Sequence, residues 1–331
     1  MKPHATNRKN SRKKSSRFHL SKDPQGKVRH QVKKPIQFPK GSKPAGEKAS
    51  SPLKNGLYVV GTPIGNMGDI TLRALEVLKW VDKIACEDTR VTRKLISRHE
   101  IRTSLTPYHE HNAETARPSL IQKIRDGAAI ALVSDAGMPS ISDPGYKLIR
   151  DCIRADLLVT VVPGASACLS GLVLSGLPTD RFLFQGYLPS KSSQRRIILK
   201  EISTIGASLI FYESPERLAI ALQDMLIVLG NRPAAVLREL TKLHEEVRRG
   251  SLQELVEHYV RGEKPRGELV IVVDPAQKGE AFSDMELGAI LTERLRNLSV
   301  RDAVAEVANI TKQPRKKIYR IAVGLVNHSD Q

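Results

Sequence analysis

The chain has 331 residues and a formal net charge of +18, from 53 Lys and Arg against 35 Asp and Glu. That length predicts about two domains at roughly 100–200 residues each, and 40% hydrophobic residues suit a globular protein. No apolar run approaches the roughly 18 residues of a membrane span, and no N-terminal apolar core marks a secretory signal. Cys86, Cys152 and Cys168 are odd in number, far apart and without histidines at ligand spacing. They argue against a disulfide scaffold or metal site and for a soluble protein of the reducing cytoplasm.

Charge is unevenly spread. Residues 1–53 hold 15 Lys and Arg with only Asp23 and Glu47 as acids, a local +13, whereas the rest carries +5. Rich in Lys, Ser, Pro and Gly, this segment cannot bury enough apolar surface to fold alone and reads as a disordered basic tail. A phosphate-seeking arm and a solubilising extension explain it equally, with a transit peptide as a third reading.

From Leu57 the texture alternates between apolar runs and helix-period segments. Strands are predicted at Leu57–Gly61, Lys83–Cys86, Ala129–Ser134 and Leu157–Val162. Helices fall at Thr71–Trp80, Thr92–His99 and Asn112–Asp126, with Pro118 set to break or displace the last. Strands alternating with helices give βαβ units and a mainly parallel sheet, so residues 54–177 read as an α/β domain. A second α/β domain, 178–277, carries strands at Phe182–Gly186, Ser208–Tyr212, Ala234–Glu239, Glu245–Arg249 and Glu268–Asp274. Its helices are Ser193–Ile202 and Pro215–Leu229, and its shorter connections predict a more antiparallel sheet. Three helices, Asp284–Asn297, Val300–Asn309 and Pro314–Val326, form a C-terminal region at 283–327.

Several strands end in specialised loops. Gly61-Thr62-Pro63-Ile64-Gly65-Asn66 follows the first strand; it is neither a Walker loop nor GxGxxG. Ser134 to Gly145 (SDAGMPSISDPG) spends twelve residues on turn formers, small polar groups and two acids, which points to binding at a strand's carboxyl end. Pro163-Gly164-Ala165-Ser166 opens a helix of small residues. Glu87-Asp88-Thr89-Arg90, Glu213-Ser214-Pro215-Glu216-Arg217 and Arg238 to Glu246 place charge after strands, where helix capping and ion pairing compete with function. Lys191, Arg195, Arg196 and Lys200 read as a basic helix face, either solvated or on RNA backbone.

Taken in order, GTPIGNMGDITLRALEVL, EDTR, SDAGMPSISDPG, PGAS, DRFLFQGYLP, FYESPERL, RELTKLHEE and RGELVIVV resemble one family over residues 57–326. It is the small-subunit (16S) ribosomal RNA cytidine 2′-O-methyltransferases of the tetrapyrrole-methylase superfamily. Met138, Glu216 and Arg266 depart from its usual Thr, His and Lys. The resemblance implies a two-domain tetrapyrrole-methylase-like fold, a homodimer, and S-adenosylmethionine in the inter-domain cleft. The donor would lie against Pro63, Ile64, Gly65, Ser134, Asp135, Ala136, Gly137, Ser166 and Ala167 from the first domain. From the second it would meet Tyr212, Leu237, Arg238, Gly267 and Glu268.

The implied reaction is in-line attack of a ribose 2′-hydroxyl on the donor methyl. Glu213 and Glu239 are candidate bases, and Lys242 or Arg90 would steady the developing alkoxide, with Asp88 orienting Arg90. Arg315, Lys316, Lys317 and Arg320 on the last helix are placed to hold RNA. The same helices admit a helix-turn-helix DNA-binding regulator, and the superfamily admits a corrin-type tetrapyrrole methylase.

Overall fold

The computed structural model describes residues 52–276, 283–311 and 313–329. Residues 1–51 of the expected tail 1–53 therefore lie outside the described residues, whereas its last residue, Leu53, is buried, so the folded part begins slightly earlier than expected.

Sheet one contains β1 (Gly56–Val60), β2 (Lys83–Cys86), β3 (Leu105–Pro107), β4 (Ala129–Val133) and β5 (Val159–Val162), in the order β3-β2-β4-β1-β5. Every pairing is parallel, as βαβ connections require. β1 and β4 are buried at every residue, which is why they read as continuous apolar runs without alternation. The helices α1 (Leu72–Trp80), α2 (Thr89–Arg98), α3 (Ala113–Arg125) and α4 (Tyr146–Arg154) make the connections. Thr71 caps α1 by accepting from the Ala74 amide at 3.1 Å. Pro118 lies inside α3 without ending it: the preceding turn is already secured by Ala116 N donating to Asn112 O at 2.9 Å, so one missing N–H is tolerated.

Sheet two orders β6 (Phe182–Tyr187), β7 (Ser208–Glu213), β10 (Leu269–Val273), β8 (Pro233–Arg238) and β9 (Glu246–Ser251) as β6-β7-β10-β8-β9. Only β6 and β7 are parallel. Period-two alternation sorts its two cores. Leu209, Phe211, Leu269, Ile271 and Val273 face α6 (Ser192–Ile202), α7 (Leu218–Leu229) and α8 (Leu252–Arg261). Ile210, Val270 and Val272 face the other way, onto Cys168 and Leu172 of α5 (Ala167–Ser175). Although α5 follows β5 in the chain, it packs on sheet two and so joins the two sheets.

The basic face expected on α6 is corrected in part. Arg195 is 1% exposed and reaches Asp224 on α7 at 2.6 Å, with Ser192 donating to the same carboxylate. It neither meets solvent nor can touch RNA. Two short elements, β3 and α8, were missed because three residues carry no period and α8 follows its strand without a break. The C-terminal helices α9 (Asp284–Leu295), α10 (Val300–Thr311) and α11 (Arg315–Ser329) share a separate core of Leu287, Leu291, Val307 and Ile318.

Candidate active site

Loops from both sheets meet where the carboxyl ends of β1, β4 and β5 face β7, β8 and β10. A β-carbon on Gly61 would stand 2.7 Å from the α-carbon and nitrogen of Gly164, so the loops after β1 and β5 touch backbone to backbone. Thr62 and Gly137 exchange backbone hydrogen bonds of 2.8 and 3.1 Å, fastening the β1 loop to the β4 loop. Between the two sheets' loops, Asn66 N donates to Thr241 Oγ1 at 3.0 Å. Among the described residues, six non-glycines have positive φ, and Ser140, Ser142, Glu239 and Thr241 all lie in two of these loops. Each such residue stores about 1 kcal/mol or more, and such strain gathers at functional sites.

The loops enclose a cavity of about 240 Å³, walled by Asp135 to Met138, Ile141 to Asp143, Ser166 and Ala167 on one side and Tyr187, Tyr212, Leu240 and Glu268 to Val270 on the other. A second hollow of about 190 Å³ shares Ile64, Asp135, Ala136 and Glu268 and adds Pro63, Gly65, Ser134 and Lys242. Of the expected donor contacts, Leu237 is in the core between sheet two and α5. Arg238 is ion-paired with Glu246 at 3.0 Å, and Gly267 packs on the Glu239 carboxylate. Those three line neither hollow; the other eleven line one or both.

The four expected catalytic residues separate. Glu239 and Lys242 come together: Lys242 Nζ lies 2.8 Å from Glu239 Oε1 and 3.0 Å from Glu268 Oε2, and Glu239 Oε1 also accepts from the Glu268 amide at 3.0 Å. Burial opposes the charge on Glu239, but Lys242 and that amide outweigh it and hold its carboxyl below the ordinary range. Arg90 lies 2.6 Å from Asp88 with its side chain 87% exposed, and lines neither hollow. Asp88 caps α2, and its own amide donates to Asp135 Oδ1 at 2.9 Å. Glu213 is buried, paired with Arg217 and accepting from the Ser214 amide, and its Oε2 has no partner. It too lines neither hollow.

Sequence reasoning missed Asp143 as a chemical group, although its loop was singled out. Burial, then the nearby charge of Glu87, pushes its carboxyl up to about 6. Glu87 and Asp135, in the same wall, are also raised, chiefly by burial. The available signal was the second acid of a loop otherwise made of turn formers. Of the three departures, Met138 lines the cavity, whereas Glu216 and Arg266 are exposed outside it. Among the described residues no group of three or more His, Cys, Asp or Glu is arranged to hold a metal, and no helix is long and apolar enough to cross a membrane.

Residues 56–256 match the family described as Tetrapyrrole (Corrin/Porphyrin) Methylases, and residues 282–325 match the RsmI C-terminal HTH domain. The chain is 45% identical over 286 residues to the ribosomal RNA small subunit methyltransferase I of Mesorhizobium japonicum, covering 86% of this chain and 97% of that protein. The protein of the same name from Erythrobacter litoralis is 47% identical, with 84% and 98% covered. Among solved structures, the methyltransferase CobJ superposes with a TM-score of 0.52 at 16% identity, covering 67% of this chain and 95% of that one, a likeness of fold alone.

Proposed function

The chain belongs to the tetrapyrrole methylase family and, within it, to the ribosomal RNA small subunit methyltransferases I, and from that premise we propose that it methylates a cytidine ribose 2′-hydroxyl of small-subunit (16S) ribosomal RNA. The observation that carries this reading is the convergence of the β1, β4, β5 and β8 loops on one inter-domain cleft.

The residues present fit S-adenosylmethionine. Close-packed loop backbone offers amides and carbonyls, while Ile64, Leu240, Val270 and Tyr212 give an apolar wall suited to a flat base. Glu87, Asp135 and Asp143 complement a ligand carrying both a sulfonium and an ammonium charge. When bound, the donor supplies an electrophilic methyl group.

The chain's own residues have three tasks. The strained loops at 137–145 and 239–241 fix the walls and so the line of attack. Asp143, held near 6 inside the cavity, accepts the ribose proton more readily than Glu239, whose Oε1 is engaged by Lys242 and the Glu268 amide and whose carboxyl is held low. Lys242, kept charged by Glu239 and Glu268, sets the potential at the mouth of the cleft and steadies an oxygen that gains negative charge. Glu213 and Arg90 take the supporting parts of ordering the β7 and β2 ends.

The protein acts in the cytoplasm as a homodimer in this reading. Support for a dimer comes from edge strand β5 and helix α5, which expose Val161, Leu169 and Val173 at 50% or more.

Incubation of the protein with methyl-labelled S-adenosylmethionine and unmethylated small subunits, followed by alkaline digestion, tests the activity. Label in an alkali-resistant dinucleotide beginning with cytidine is expected. Label in alkali-sensitive mononucleotides would mean a base methylase instead, and transfer only to a corrin-type acceptor would mean a tetrapyrrole methylase.

A further inference from the structure

The cleft poses a problem for an RNA substrate. Glu87, Asp135 and Asp143 line it with no cation paired to them among the described residues, and this concentration of carboxylates repels phosphate. Affinity for a polyanion has to come from another surface.

The C-terminal bundle has one. Residues 312–320 hold five Lys or Arg and no Asp or Glu. The fold sorts the cations of α11 into two groups. Lys317 and Arg320 reach the Asp284 carboxylate of α9 at 3.1 and 3.5 Å, so their charge is spent on holding the bundle. Arg315 and Lys316 lie instead with Tyr319, and with Arg301 from the first turn of α10, around a shallow hollow between α10 and α11. Among the described residues, Arg301, Arg315 and Lys316 have no ion-pair partner. Asp302, the one acid lining the hollow, accepts from Ser299 Oγ at 2.7 Å. Solvation accounts for exposed cations, but not for a tyrosine, Tyr319, 56% exposed among them. A ring flanked by free cations is the combination that stacks a base while its neighbours neutralise phosphates.

We propose that Arg301, Arg315, Lys316 and Tyr319 form an RNA-docking face, gripping the ribosomal RNA backbone and stacking one unpaired base outside the cleft. The assignment rests on the ribosomal RNA reading above and adds to it where the affinity resides. α11 is the second helix of a helix–turn–helix pair, the position from which such motifs present side chains to nucleic acid.

The test measures equilibrium binding of the full chain to unmethylated small subunits across a salt series, alongside donor affinity and thermal unfolding. Tyr319→Ala is expected to weaken subunit binding about tenfold, the scale of one lost stacking contact. The double variant R315A/K316A is expected to weaken it and flatten the logarithmic salt slope by about one unit per cation removed. A charge-matched control on α3, K123A/R125A, is expected to match the parent, and all variants to keep donor affinity and unfolding temperature. Parent-like affinity and slope in both test variants would overturn the proposal, as would equal losses in the control. Tighter binding of a DNA duplex than of the subunit, lost in the same variants, would overturn it in favour of DNA. Failure of the unmodified protein to label subunit RNA at all would strike the underlying reading, and is seen without any variant.

Discussion

Lys242, after β8, lies across the α-carbon of Gly65, after β1, so closely that a β-carbon at position 65 would stand 2.5 Å from Lys242 Cγ. The same β-carbon would meet Thr241 Oγ1 at 2.8 Å and the Leu240 carbonyl at 3.0 Å. One glycine thus decides whether the β1 and β8 loops can close on each other.

Gly65→Ala is accordingly expected to loosen the cleft while leaving both cores intact. Donor affinity should fall about tenfold, equivalent to about 1.4 kcal/mol, with little change in unfolding temperature. Calorimetric titration of donor checks the first and a thermal melt the second.

Asp143 makes activity and stability depend on pH with opposite sign. As the proposed proton acceptor it must be ionised, so kcat/KM should rise with pH through about 6 and then level. Its folded carboxyl binds a proton more tightly than the unfolded one, whose ordinary value is 3.8, so stability should fall as pH rises from about 4 to about 6. After allowing for partial exposure the loss is about 2 kcal/mol. Asp143→Asn should remove the acid limb of the rate profile, lower kcat/KM at least about 100-fold, and raise the melting temperature above pH 6. Glu239→Gln, by contrast, should keep the acid limb; if that limb vanished instead, Glu239 would be the base.

Arg195 and Asp224 form the buried ion pair that joins α6 to α7. Arg195→Met should destabilise the protein by about 3–5 kcal/mol, because it leaves a desolvated carboxylate with weaker partners. The double variant Arg195→Met with Asp224→Leu should recover much of that loss. Denaturant unfolding of the three proteins checks both statements.

The exposed apolar residues of β5 and α5 give a solution test of assembly. Val173→Glu should shift sedimentation from dimer to monomer if that face is the contact, since a desolvated charge at an interface core costs several kcal/mol. An unchanged dimer would move the contact elsewhere.

Sequence reasoning reached every strand but β3, most directly where β1, β4 and β10 are buried throughout and β7 and β8 nearly so, which leaves uninterrupted apolar runs. It found the loops that line the cleft because turn formers crowd the ends of those strands. It misjudged Arg195, since a helical surface of Lys and Arg looks the same whether or not a carboxylate waits on the neighbouring helix.

The sequence by itself determined the α/β class, the order of the elements, the loops that build the cleft and, through the resemblance of those loops, the chemistry. These are properties of local pattern: periodicity, turn formers at strand ends, and motifs in chain order. Which charges are free was decided only by tertiary structure, because pairing joins residues far apart in the chain. Glu239 met Glu268 and Lys242, Arg90 turned back on Asp88, and Lys317 and Arg320 went to Asp284. Asp143 gained its raised carboxyl from walls supplied by other elements, since desolvation depends on what packs around a group.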